Sequence, residues 1–225
     1  MLIYTIFWQK SYKKQKAAIF IRKLYLMEQL EQIALEAPKY RSIFFSKDVD
    51  SESVGEAIRQ IVEINEHDEK LKVLYSVLYG IEYNPNPIKI YIDCTGGYVY
   101  SCFGLLSIIE CSKTPIYTIA TGAAMSSGLL ILVCGHKRFA YELTTFLYHQ
   151  TSSESLGTAK EMKDDATEIQ RIQKIFEDVT IKKTKIPKSK LKNVYETKTD
   201  WYFSSAEAKR LCVIDKILKP GDEIE

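Results

Sequence analysis

Near the start of the chain, apolar residues recur at helical spacing. Phe20, Leu24, Met27, Leu30 and Ala34 step by three or four, and Pro38 ends the segment, which predicts a helix from about Ala17 to Leu35. From Tyr40 the pattern alternates. Ser42-Ile43-Phe44-Phe45-Ser46 reads as a short buried strand, and Asp50/Ser51 opens a helix through Ile61–Ile64, with Ser51 and Ser53 as candidate N-caps. A second helical stretch, Leu71 to Tyr83, is closed by Asn84-Pro85-Asn86-Pro87. Ile88–Asp93 is a β-branched strand, Gly96-Gly97 turns the chain into a helix through Ile108 and Ile109, and Pro115–Ala120 is the next strand. Ser127 to Val133 reads as a wholly apolar helix. Phe139-Ala140 and Thr144 to His149 follow as strands, and a long helix runs from about Thr158 to Lys182. The segment from Ser204 to Leu218 adds a helix and a short strand. Strands alternating with helices predict an α/β fold without internal repeats.

Composition narrows the class without naming a chemistry. The 225 residues are 46% hydrophobic and 27% charged, with 10 Gly and 6 Pro, which excludes a disordered or collagen-like chain. The formal charge of +2 gives no electrostatic argument for nucleic acid or an acidic substrate. No apolar run approaches the roughly 20 residues that cross a bilayer. Five widely spaced cysteines, no C-x-x-C pair and three histidines leave no recognisable zinc spacing, so buried free thiols in a reducing compartment are expected. The chain opens with Met-Leu-Ile-Tyr-Thr-Ile-Phe-Trp and places its lysines afterwards, the reverse of a secretory signal, so a cytoplasmic location is expected. Residues 1–40 hold seven Lys/Arg and three Glu. A basic amphipathic helix can contact a membrane or a partner. Packing on its own domain or on a sister subunit is the plainer reading.

Three separated residues could form a nucleophilic constellation. Ser126 lies in Thr121-Gly122-Ala123-Ala124-Met125-Ser126-Ser127-Gly128, between a strand and an apolar helix, where free backbone N–H groups can stabilise an oxyanion. A helix-capping serine is the competing reading, and the flanking residues are not a G-x-S-x-G elbow. His149 ends an apolar strand and could equally be a hydrogen-bonded structural residue. Asp200 precedes the aromatic run Trp201-Tyr202-Phe203, which should draw it towards the interior, where an imidazole N–H would satisfy it. Nucleophile, base and orienting acid in any chain order are what a serine hydrolase requires. Gly96-Gly97 can turn backbone N–H groups to a ligand, but the third glycine of a dinucleotide fingerprint is missing, as is a phosphate-binding P-loop.

Four segments together resemble one family, the proteolytic subunit of the Clp protease. Ile90-Tyr91-Ile92-Asp93-Cys94-Thr95-Gly96-Gly97 is similar to the family's strand ending in Asn-Ser-Pro-Gly-Gly. Gly122-Ala123-Ala124-Met125-Ser126-Ser127-Gly128 resembles its Gly-x-Ala-Ala-Ser-Met-Gly, and Leu147-Tyr148-His149-Gln150 resembles Met-Ile-His-Gln. Asp200-Trp201-Tyr202-Phe203-Ser204-Ser205-Ala206-Glu207-Ala208 resembles Asp-Arg-x-x-Ser-Ala-x-Glu-Ala, with Val213-Ile214-Asp215-Lys216-Ile217 following as in Gly-Leu-Val-Asp-x-Ile.

The resemblance implies an α/β fold of the ClpP/crotonase type, with repeated β-β-α units and a protruding handle helix at about 158–182. It implies Ser126 as nucleophile, His149 as general base and then acid, and Asp200 as the orienting group. Gly97 and Ser127 would supply the backbone N–H groups of the oxyanion hole. It further implies heptameric rings stacked as a double ring, an AAA+ unfoldase partner and polypeptide substrates, with no metal, cofactor, nucleic acid or membrane. The expected division is a basic helical extension at 1–40, a serine peptidase domain at 41–219 and a tail at 220–225. Departures from the pattern are Asp93-Cys94-Thr95 for Asn-Ser-Pro, Met125 for alanine, a long 65–87 segment, and Thr151-Ser152-Ser153-Glu154 for Pro-Leu-Gly-Gly. They motivate a second reading, a weak or inactive ring subunit that co-assembles with an active paralogue. A third, an acyl-CoA enzyme of the crotonase fold, would want carboxylates where Ser126 and His149 lie.

Overall fold

The structure, a computed structural model, describes residues 2–35, 37, 38 and 40–224, with the side chains of 2–11, 34 and 35 left aside. The chain divides into two compact units, Met1–Lys39 with Glu63–Asn86, and Tyr40–Val62 with Pro87–Glu225.

The first unit is helical. Helix α1 spans Leu2–Leu35, beginning well before the expected Ala17, and α2 spans Ser51–Tyr79, its part from Glu63 onward belonging to this unit. Where two helices were expected between 50 and 83 there is one. The polar stretch around Glu66 to Lys70 holds no breaker, so helical propensity carries the chain through it. His67 Nε2 lies 2.9 Å from the Ile33 carbonyl, and Tyr75 packs against Tyr79 and Tyr83. The expected one-sided stripe of α1 is not found. Ile19, Phe20, Ile21, Leu24, Tyr25 and Met27 are all exposed, because consecutive apolar residues point around the helix rather than to one face. Ala34, the last position of that stripe, lies outside the described side chains.

The second unit holds a seven-stranded sheet. Strands β1 (Ser42–Phe45), β2 (Ile88–Cys94), β3 (Ile116–Met125), β4 (Lys137–Tyr141) and β7 (Lys216–Leu218) lie parallel in the order β1-β2-β3-β4-β7. β5 (Thr145–Tyr148) and β6 (Trp201–Ser204) stand off this path. The remaining helices are α3 (Val99–Cys111), α4 (Ser127–Val133), α5 (Ala159–Lys183), α6 (Lys188–Thr197) and α7 (Ser205–Arg210). This is the mixed α/β architecture expected, with α5 where the handle helix was expected.

β3 determines where the site can be. Its first half pairs with β4, Tyr117↔Lys137 to Ala120↔Ala140, and its second half pairs with β5, Ala123↔Thr145 to Met125↔Leu147. The strand was expected to end at Ala120, because Thr121–Gly128 has the small residues of a turn. Parallel pairing with β5 holds it extended for five more residues. A bulge in β2 between Ile92 and Cys94 helps, for Asp93 Oδ1 accepts the Ala123 N–H at 2.8 Å. Immediately beyond, α4 is buried along its whole length, from Ser127 to Val133. Each of its Leu, Ile and Val side chains contributes about 1.5–3 kcal/mol on removal from water. Core packing thereby fixes the position at which β3 hands over to α4.

Side-chain caps mark the starts of α2, α5 and α7. Asp50, rather than Ser51 or Ser53, caps α2: its carboxylate accepts the Ser53 N–H at 2.7 Å, and the Asp50 N–H donates to Ser53 Oγ. Thr158 and Glu161 form the reciprocal box at the head of α5. α6 was not foreseen in the sequence. It shows only Leu191 and Val194 as buried positions in a lysine-rich segment, though Pro187 before it is a legible start.

Candidate active site

Two strand pairings bring the three candidate residues together. β5 lies parallel to β3 with Met125 opposite Leu147, and the next amide, Ser126 N–H, donates to the Leu147 carbonyl at 2.9 Å. β6 lies antiparallel to β5 with Tyr148 opposite Trp201. One step beyond that pair, His149 follows Tyr148 and Asp200 precedes Trp201, so the register aims the two at each other. Phe146 stacks on Phe203, and Phe203 on Trp201, which secures the register. From α5, Gln173 accepts the Thr151 N–H at 2.8 Å and donates to the Tyr148 hydroxyl, steadying the chain on both sides of His149.

Ser126 occupies the single position between β3 and α4, with φ 53° and ψ −122°. A non-glycine residue held there stores about 1–3 kcal/mol of backbone strain. It does not cap the helix through its side chain. Its Oγ lies 2.8 Å from His149 Nε2. A hydroxyl donating to an imidazole can lose its proton as it adds to a carbonyl carbon. The second link is longer: His149 Nδ1 and Asp200 Oδ1 are 3.9 Å apart, with the His149 side chain 29% and the Asp200 side chain 54% exposed. The expected burial of Asp200 is not found. Of the aromatic run, only Phe203 turns fully into the core, and Asp200 stays at the solvent edge of β6.

Gly96 and Gly97 form the facing wall. Val49 N–H donates to the Gly96 carbonyl and Tyr98 N–H to the Val49 carbonyl, both at 2.7 Å, clamping the turn to the segment after β1. At φ 140° a Cβ on Gly97 would stand 2.4 Å from the Val49 carbonyl oxygen, and a Cβ on Gly96 would stand 2.8 Å from Ser126 Cβ. Glycine is therefore required twice, by backbone angle and by space. The Gly97 and Ser127 N–H groups donate to no acceptor among the described residues. The Ser127 hydroxyl donates to the Gly97 carbonyl at 3.1 Å, tying the two amide-bearing segments to each other. That contact, the Val49 clamp and Gln173 escaped the sequence reading, because each partner is distant in the chain and ordinary in type.

Two thiols, Cys94 and Cys102, sit behind this wall, and a third, Cys134, is buried at the C-terminal end of α4. The Cys102 thiol donates to the Ser127 carbonyl at 3.4 Å, and the Gly96 N–H points to Cys94 Sγ at 3.4 Å. Burial pushes all three thiols up: Cys134 to about 12, and Cys94 and Cys102 also upward. They are buried, and burial disfavours the thiolate form. No group of three or more metal-ligating side chains occurs among the described residues, and no helix described is long and apolar enough to cross a membrane.

A cleft of about 960 Å³ opens against the Gly96-Gly97 turn, with Thr151 to Glu154 and α5 on its other side. The chain is 26% identical over 182 residues to an ATP-dependent Clp protease proteolytic subunit from Deinococcus radiodurans, covering 80% of this chain and 81% of that one. The sequence model of the Clp protease matches residues 26–221, well over half the chain, and the chain belongs to the Clp protease family.

Proposed function

We propose that the protein is a serine endopeptidase, the proteolytic subunit of a compartmentalised Clp-type protease. Ser126 attacks the peptide carbonyl while His149 takes its proton. The Gly97 and Ser127 N–H groups hold the oxyanion, and His149 returns the proton to the leaving amine. Water then clears the acyl-enzyme by the same relay. Asp200 orients the imidazole. The observation that carries this reading is the 2.8 Å contact between Ser126 Oγ and His149 Nε2 at a strained strand-to-helix junction.

In this reading residues 41–219 are the peptidase portion and 1–40 an extension. Subunits close into heptameric rings, stacked in pairs, in the cytoplasm, and polypeptides arrive from an AAA+ unfoldase. Support for a docked partner comes from the sheet's outward face. Phe44, 74% exposed, stacks on Tyr91 at 5.2 Å, and Tyr91 and Tyr117 pack around Phe139 and Leu218. An aromatic side chain exposed on the sheet's own unit, as Phe44 is, can take part in an interaction surface.

A second reading, a weak or inactive subunit that gains activity in a mixed ring, draws on the 3.9 Å gap between His149 and Asp200. One experiment separates the two: a fluorophosphonate probe applied to the purified protein beside native mass measurement. A labelled ring whose label disappears in Ser126→Ala supports the peptidase. A ring that resists label supports the second reading, and label that survives Ser126→Ala removes Ser126 from the role.

A further inference from the structure

Just after His149-Gln150 the chain leaves the family pattern, with Thr151 where that pattern has proline. The exchange has two physical consequences. Proline fixes its own φ and keeps the residue before it extended, so it stiffens the segment leaving the histidine without needing a partner. Threonine lifts that restriction and adds a backbone N–H. Thr151 is partly buried, and an N–H withdrawn from water needs an acceptor.

Gln173 of α5 supplies the acceptor: its Oε1 takes the Thr151 N–H at 2.8 Å. The other end of the amide keeps it aimed there. Nε2 donates to Glu177 at 3.1 Å and to the Tyr148 hydroxyl at 3.4 Å. A carboxylate only accepts, so Glu177 holds the amide nitrogen on its own side and leaves the oxygen for Thr151. Gln173 is 4% exposed, between the buried Ile172 and Phe176. A glutamine that deep in the core is costly unless its polar atoms are paired, and here they are. Phe176, from the same face of α5, meets the Tyr148 ring edge-on at 5.3 Å. α5 therefore grips the chain at Tyr148, before the base, and at Thr151, after it. Asp200 offers less, being 3.9 Å from the imidazole and half in solvent.

We infer that Gln173 is a positioning residue for His149, supplying by a hydrogen bond the stiffness that proline gives the family pattern at this point. The inference rests on the peptidase reading for its catalytic sense, because a small displacement of His149 from Ser126 Oγ is what would slow the reaction. The test compares the parent protein with Gln173→Met, which keeps length and burial but loses both hydrogen-bonding ends, and with Gln173→Met combined with Thr151→Pro. Hydrogen exchange resolved to the Thr151 amide should quicken about tenfold in Gln173→Met, as the loss of one hydrogen bond allows. The same variant should lose about tenfold in kcat with KM within about twofold, and fluorophosphonate labelling should slow in the same proportion. Adding Thr151→Pro removes the orphaned N–H and restores the stiff segment, so it should recover most of the lost kcat. Native mass follows assembly throughout. A Gln173→Met protein that assembles only when Thr151→Pro is added supports the inference, and failure of both to assemble overturns it. So does an unchanged Thr151 exchange rate, or a double variant no faster than Gln173→Met. A parent protein that takes no label removes the peptidase reading, while Thr151 exchange still decides whether Gln173 holds the segment. A labelled parent with Gln173→Met labelled at the same rate removes the inference and leaves the reading standing.

Discussion

The two walls of the site are built to different standards. On the Gly97 side, backbone hydrogen bonds of 2.7 Å clamp the turn to Val49, the Ser127 hydroxyl ties Gly97 to the head of α4, and α4 is buried throughout. On the His149 side, Asp200 is half exposed and beyond hydrogen-bond distance from the imidazole, and residues 152–154 are exposed. The groups that would hold developing negative charge are tied in place by hydrogen bonds within the single chain. The group that would orient the base is not. Preorganisation is most valuable where charge develops, and catalytic hydrogen bonds are commonly loose until the working complex forms. On the proposed reading, assembly or substrate would complete the open wall, while the closed wall is already tied within one chain.

The strongest way to break this comparison is at the residue both walls share. Ser126→Ala should lower kcat on peptides by about a millionfold, the scale for removing a nucleophile that acts as a unit with its base, with far-UV circular dichroism unchanged. Residual activity well above that level would move the nucleophile elsewhere. Next comes the closed wall: Gly97→Ala should cost about 10²–10³ in kcat, because its Cβ collides with the Val49 carbonyl and displaces an oxyanion donor. KM should move little, and a full-rate Gly97→Ala enzyme would contradict the rigid-wall account.

The open wall should respond less. Asp200→Asn should cost about 10–100-fold, below the roughly 10⁴-fold of an acid fully bonded to its histidine. A 10⁴-fold loss in the assembled ring, measured on the same substrate, would mean that the 3.9 Å gap closes on assembly. The smallest effect is a reactivity pattern. In native protein at pH 8, a thiol reagent should modify exposed Cys111 fast and leave Cys94, Cys102 and Cys134 untouched until denaturant is added. Fast reaction at Cys94 would show that the wall behind Gly96 opens.

The same contrast governs what could be read from the sequence. Ser126, His149, Asp200, Gly97 and Ser127 were singled out in the sequence through short motifs and the family resemblance those motifs carry. Periodicity located the core elements, because α4 and the central strands are apolar enough to leave one reading. The extension of β3 to Met125 was hidden, for its cause is β5, more than twenty residues away. β6 was hidden inside an aromatic run whose antiparallel partner is distant in the chain. The exposure of Asp200 was misjudged because neighbouring aromatics say nothing about which face of an edge strand a carboxylate occupies.

The antiparallel pairing of β5 with β6 has a consequence for the timing of synthesis. Ser126 and His149 leave the ribosome before Asp200, and the strand that aims Asp200 at His149 runs from Trp201 to Ser204. A growing or prematurely terminated polypeptide that stops before residue 200 carries the serine and the histidine but neither the acid nor the strand that sets its register. On the proposed peptidase reading, such a polypeptide would have no group on β6 with which to orient His149.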